Sequence, residues 1–140
     1  MASCERAFSA IALRRESGVL EVGVDIIEVA RVERSLRRFG DRFRQRVFTP
    51  RELLDSGDRG QSLAARFAAK EATIKALGNG RLAFKEIEIV RPEGGRPTIK
   101  LSGQAARRAK ELRVTDLAVS LSHTHDLAVA MVVLSHAEHA

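Results

Sequence analysis

Two carboxylates sit where the local pattern calls for something apolar or small. Asp25 interrupts the β-branched run VLEVGVDII at 19–27, and Glu71 lies at the border of an apolar stripe in the alanine-rich run 62–77. Lys70 falls inside that stripe, and Arg66 and Lys75 stand about a turn to either side. Charges at such positions need partners, either protein groups or a charged ligand. Magnesium takes oxygen ligands, keeps several waters and binds through one or two carboxylates plus substrate phosphates. Asp25 and Glu71, with Arg66, Lys70, Lys75 and His123, therefore compose a candidate pyrophosphate site at which charge is stabilised as a P–O bond exchanges. The pattern leaves a second reading of Asp25 equally open, as the cap of the helix that follows it.

The elements that must position these groups follow from periodicity. Residues 62–77 are strong helix formers closed by Gly78, the residue type that ends helices in the left-handed conformation. At about 100° per residue, Leu63, Phe67, Ile74 and Leu77 share one stripe, and alanines cover most of the remainder, so the helix is expected to be central. Residues 19–27 alternate as a strand, with Val22, Val24 and Ile26 on one face and Gly23, Asp25 and Ile27 on the other. From about 28 to 39, Val29, Val32, Leu36 and Phe39 recur at helical spacing opposite Arg31, Arg34, Arg37 and Arg38, and Arg42, Arg44 and Arg46 follow Gly40. Such a run is commonly a solvated face, but the arginines far outnumber Glu33 and Asp41, so docking to an acidic partner carries equal weight.

Thr49-Pro50-Arg51-Glu52 reads as a capping box with proline at the first helical position, opening a short helix to about residue 55. A loop is expected over 56–61. Strands are predicted at 84–90 and 97–101 around a Pro/Gly-rich turn, then a helix at 104–112 capped by Ser102. Two final strands, 117–122 and 127–134, flank His123-Thr124-His125-Asp126. This order predicts an α+β fold, an antiparallel sheet packed on a long central helix. One domain is expected over 19–134, with a loosely ordered extension at 1–18 and a disordered tail at 135–140 holding His136 and His139.

With 140 residues, 44% hydrophobic and 30% charged, the chain has the composition of a single globular domain. Its net charge of +6 implies an acidic partner. The chain has no Trp or Tyr, so stacking platforms for single-stranded nucleic acid are poorly supplied. The single cysteine, Cys4, excludes an internal disulfide framework and fits the reducing cytoplasm. No apolar run approaches the ~20 residues of a membrane span. Gly78-Asn79-Gly80 is too short for a phosphate-cradling fingerprint, and the histidines lack zinc-type spacing with cysteine.

Five blocks carry a family resemblance. They are Gly23-Val24-Asp25 followed six residues on by Arg31; Phe48-Thr49-Pro50-Arg51-Glu52; Arg66-Phe67-Ala68-Ala69-Lys70-Glu71-Ala72 with Lys75-Ala76; Phe84-Lys85-Glu86-Ile87-Glu88-Ile89; and Val119-Ser120-Leu121-Ser122-His123. In this order they resemble the short, holo-[acyl-carrier-protein] synthase group of the 4'-phosphopantetheinyl transferases. The resemblance implies coenzyme A with its pyrophosphate on Mg²⁺, held by Asp25, Glu71 and waters. It implies attack of a carrier-protein serine on the β-phosphate, release of 3',5'-ADP, and Glu71 accepting the serine proton directly or through a metal-bound water. Lys70 and Lys75 would neutralise phosphate charge, Arg66 and His123 would place the nucleotide, and Gly78 would border the coenzyme. Arg31, Arg34, Arg38 and Arg42 would receive the acidic helix of an acyl carrier protein. The group is similar in forming homotrimers with active sites between subunits, with no nucleic acid or membrane involved.

The chain departs from the family where larger relatives place a third carboxylate, because that position is Ile27 and water would take the ligand place. It also shortens the loop after the central helix to Gly78-Asn79-Gly80-Arg81, and residues 1–18 match no family block. Two other readings stand beside the transferase. A basic nucleic-acid-binding protein would explain the arginines but leave Asp25 and Glu71 beside phosphates without a metal. A catalytically impaired homologue would bind carrier proteins without modifying them.

Overall fold

In the computed structural model, which describes residues 18–137, the chain runs β1 (Val19–Glu28), α1 (Val29–Phe39), α2 (Asp41–Val47), α3 (Pro50–Ser56), α4 (Gly60–Leu77), a 3-10 turn (Phe84–Glu86), β2 (Ile87–Val90), β3 (Thr98–Leu101), α5 (Gly103–Leu112), β4 (Val114–His123) and β5 (Leu127–His136). This is the α+β architecture expected. An antiparallel sheet ordered β1-β5-β4 lies on α4, and β2 and β3 form a separate antiparallel pair. The expectation for residues 1–17 and for His139 lies outside the described residues.

The alanines explain how closely helix and sheet approach. Ala64, Ala68, Ala69 and Ala72 of α4 are fully buried, as are Ala128, Ala130, Val132 and Leu134 on the facing side of β5. Gly23 completes the fit, because a Cβ there would stand 1.8 Å from the backbone oxygen of Ala72. That contact decides which face of β1 meets the helix. Gly23 and Ile27 are buried and Asp25 half-buried against α4, while Leu20, Val22, Val24 and Ile26 are exposed on the outer side. A period of two fixes the alternation but not its direction. Gly23→Ala is expected to force β1 away from α4 and cost about 1–3 kcal/mol, an overpacking penalty measurable by denaturant unfolding.

Several boundaries differ from expectation. Residues 41–47 form a helix of their own, separated from α1 by Gly40 at φ 56°. Helix α4 begins at Gly60, so the loop expected over 56–61 shrinks to 57–59. Phe84–Glu86 is a 3-10 turn, not strand, and lets Glu86 Oε2 accept from the N–H of Ala105 at 3.1 Å. Ser102 occupies the N-cap position of α5 but its side chain makes no cap bond. Strand β5 runs on through His136, which pairs with Val19 and is buried, so Ser135 and His136 belong to the strand and not to the disordered tail expected there, and residues 138–140 lie outside the described residues. Pairing to both neighbouring strands, which apolar periodicity does not register, carries the strand that far.

The capping box is present, and it does more than cap. Thr49 Oγ1 accepts from the N–H of Glu52 at 3.2 Å, and Glu52 Oε1 accepts from the N–H of Thr49 at 2.9 Å. Glu52 Oε2 also accepts from the N–H of Ile89 at 3.0 Å, and Oε1 lies 2.7 Å from Lys70 Nζ. One fully buried carboxylate therefore ties α3, α4 and β2 together.

Candidate active site

The half of β1 that faces α4 delivers Asp25 to the C-terminal half of that helix. Lys75 Nζ lies 3.2 Å from Asp25 Oδ1 and donates to the carbonyl of Val24 at 3.0 Å. Glu71, one helical turn before Lys75, shares with Asp25 a cavity of about 390 Å³ that Arg31, Ser35, Phe43 and Phe67 also line. The helix cap reading of Asp25 does not hold, since α1 is N-capped at Glu28 without any side-chain bond. Asp25 sits mid-strand, and its side chain is 18% exposed.

Burial pushes the Glu71 carboxyl up, the charge of Asp25 adds to that rise, and Lys75 and Arg31 oppose it. A buried carboxyl whose proton affinity is raised by a neighbouring carboxylate favours a cation or a proton beside it. The donors are all oxygen, as Mg²⁺ requires, and a divalent ion shared by both would relieve their repulsion, so these residues fit it. Among the described residues no cluster of three or more His, Cys, Asp or Glu side chains could hold a metal. Asp25 and Glu71 would hold the ion with waters and phosphate oxygens for the remaining places.

Arg31 of α1 lines both this cavity and the neighbouring cleft. Arg31, Arg34, Arg37 and Arg38 line a cleft of about 580 Å³. Arg42 and Arg46 of α2 flank an apolar cavity of about 620 Å³ that includes Phe39, Phe43, Phe67 and Phe84. Arg44 differs from the others, because it is tied to Asp58 at 3.1 Å and to Asp41 at 3.5 Å.

Arg66 and His123 lie elsewhere. They line a larger cavity of about 1,020 Å³ with Arg51, Arg59, Ser62 and Arg91, and that cavity shares no lining residue with the one around Asp25. Arg66 is only 6% exposed. Its Nη1 donates to Ser62 Oγ, and its Nε is buried without a hydrogen-bond partner. Burial pulls its pKa down from the ordinary arginine value, and Glu52 and Asp55 oppose that pull. One copy of the chain therefore holds these groups in two cavities with separate linings, not in the single constellation the sequence suggests.

Lys70 belongs to neither set. Its side chain is fully buried on Glu52, donating also to the carbonyls of Phe84 at 2.9 Å and Ile87 at 2.6 Å, with the Phe48 ring 5.9 Å away. The expectation that it neutralises phosphate is corrected, because the partner its position demanded is a protein carboxylate and no phosphate reaches it. Gly78 is exposed just past the last turn of α4, at φ 69°. Sequence reasoning missed Arg51, Arg59 and Arg91. The Pro/Gly turn that carries Arg91 was visible, but its proximity to Arg66 is a tertiary fact.

Residues 21–132 match the model of the 4'-phosphopantetheinyl transferase superfamily. A holo-[acyl-carrier-protein] synthase of Chloroflexus aurantiacus is 50% identical over 129 residues, covering 79% of this chain and 94% of the relative. One from Moorella thermoacetica is 50% identical over 121 residues, covering 83% and 94%. The crystal structure of the Helicobacter pylori holo-[acyl-carrier-protein] synthase in complex with coenzyme A superposes with a TM-score of 0.74 at 34% identity, covering 81% of this chain and 98% of that one.

Proposed function

Because this chain belongs to the 4'-phosphopantetheinyl transferase superfamily, we propose that it transfers the phosphopantetheine arm of coenzyme A to a serine of an apo acyl carrier protein, in the cytoplasm and with Mg²⁺. The observation that carries this reading is the placement of Asp25 and Glu71 in one cavity beside Lys75, at the foot of the arginine cleft. Bound there, Mg²⁺ would supply charge neutralisation for the pyrophosphate. The serine oxygen forms a bond to the β-phosphorus, the bond from that phosphorus to the bridging oxygen breaks, and 3',5'-ADP leaves with the electron pair. Glu71 takes the serine proton, a role suited to a carboxylate whose proton affinity burial has raised. Lys75 holds Asp25 in place and lends positive charge to the departing phosphate.

Arg66, His123, Arg59 and Arg91 form an anion-binding wall in a cavity that shares no lining residue with that of these carboxylates on the same chain. A homotrimer that sets the wall of one subunit against the carboxylates of the next would assemble the complete site. The exposed apolar face of β1 and β5, with Leu20, Val22, Val24, Ile26 and Met131, offers the surface for such an assembly. Release of 3',5'-ADP, followed by chromatography after mixing the protein with coenzyme A, Mg²⁺ and an apo carrier protein, tests the reaction. One ADP per carrier molecule is expected, with none under EDTA and none without carrier. ADP released without carrier would mean hydrolysis and would remove the transferase reading.

The cleft of α1 is the docking face for the acidic carrier. Arg31 also faces Glu71, so Arg34 and Arg38 separate docking from chemistry more cleanly. Reversing both to Glu is expected to raise the KM for carrier protein by about tenfold or more at low salt, with the KM for coenzyme A unchanged and the effect shrinking as salt is added. Steady-state kinetics at two ionic strengths measure it. Equal effects on both substrates would contradict the docking role.

A further inference from the structure

Helix α4 presents the carboxylate site along one stripe, and that stripe ends at a helix C-terminus. At about 100° per residue, Phe67, Glu71, Lys75 and Gly78 fall on one face. The C-terminal end of a helix carries roughly half a negative charge. Here it lies six residues, nearly two turns, beyond Glu71, so the last turn adds negative potential on the side of the site where Lys75 stands. Arg108, on α5, answers that potential. Its Nε donates to the carbonyl of Leu77, the last residue of α4, at 2.9 Å. A Cβ built on Gly78 would lie 3.7 Å from its Nη2, so the guanidinium borders the glycine that closes the helix. On the outer side, Nη1 stands 3.7 Å from Glu111, too long for a hydrogen bond and on a side chain 59% exposed.

We propose that Arg108 is a positioning residue for coenzyme A. Its guanidinium fixes and neutralises the C-terminal end of α4 at Leu77, two residues past Lys75, and so keeps both Lys75 and the approach along Gly78 favourable to phosphate. This inference rests on the transferase reading above. It also gives the short loop Gly78-Asn79-Gly80 a compensating cation drawn from a different element.

The test is calorimetric titration of coenzyme A, with Mg²⁺ present, into the wild type, Arg108→Lys and Arg108→Gln. Arg108→Gln is expected to weaken coenzyme A by about threefold to tenfold, the loss shrinking at high salt, while Arg108→Lys stays within about twofold of the wild type and the KM for carrier protein does not move in either. A purely structural contact would weaken both variants alike or move both substrates, and that result overturns the proposal, as does unchanged affinity in Arg108→Gln. Absence of coenzyme A binding by the wild type would instead overturn the transferase reading itself.

Discussion

Glu71→Gln is expected to lower kcat by about 10²–10⁴-fold and, without divalent metal, to make the folded protein more stable than the wild type at about pH 8. Both effects have one cause. Burial and the Asp25 charge raise the folded-state proton affinity of Glu71 above that of the unfolded chain. The folded state therefore binds more protons between the two pKa values, and stability falls as pH rises from about 4.3, the unfolded value, through the raised folded one. Above that window the strained carboxylate costs its full amount, and glutamine removes the cost. Unfolding midpoints of both proteins against pH in EDTA should converge in acid and separate on the alkaline side. Asp25→Asn should shrink the separation by removing the repelling charge, and should also abolish transfer. Wild-type turnover in Glu71→Gln would remove this residue from proton transfer, and a variant less stable than the wild type at high pH would contradict the repulsion.

Lys70→Ala is expected to destabilise the fold by about 3–5 kcal/mol, because it strands the Glu52 carboxylate in the interior. Burial pulls the Lys70 ammonium below the usual lysine value against the opposing pull of Glu52, so the pair is held together at a desolvation cost that neither partner bears alone. Glu52→Ala should be comparably harmful, since it frees the ammonium and strips acceptors from the N–H groups of Thr49 and Ile89. The paired change Glu52→Leu with Lys70→Met should recover much of the loss, apolar groups being tolerable where a lone charge is not. Guanidinium unfolding of the singles and the double measures the coupling. Single variants within about 1 kcal/mol of the wild type would contradict the pair's role.

Two neighbouring charges on α4 show what was legible in the sequence. Glu71 and Lys70 both stood out because charge interrupts an apolar helical stripe, and the pattern left open whether protein or ligand answers each. Lys70 is answered by Glu52, 18 residues earlier, inside a capping box whose local geometry already accounted for the glutamate. A local motif gives no sign that the same side chain has a distant partner. Asp25 stood out for the same reason as Glu71, yet both faces of its strand carry apolar residues, and it is Gly23, where a Cβ would stand 1.8 Å from the Ala72 oxygen, that turns the face of Asp25 to the helix. The central helix, its Gly78 stop and the α+β class were readable from composition and period. The separation of Arg66 and His123 from the carboxylates was not, because proximity across elements leaves no trace in spacing.

The central claim is that this chain moves a phosphopantetheine group from coenzyme A to a carrier-protein serine. Intact-mass spectrometry of an apo acyl carrier protein after incubation with this protein, coenzyme A and Mg²⁺ tests it most directly. A gain of one phosphopantetheine on the serine is expected, absent under EDTA and absent when Glu71→Gln replaces the wild type. An unchanged carrier mass with the wild type, across several apo carrier proteins, would contradict it.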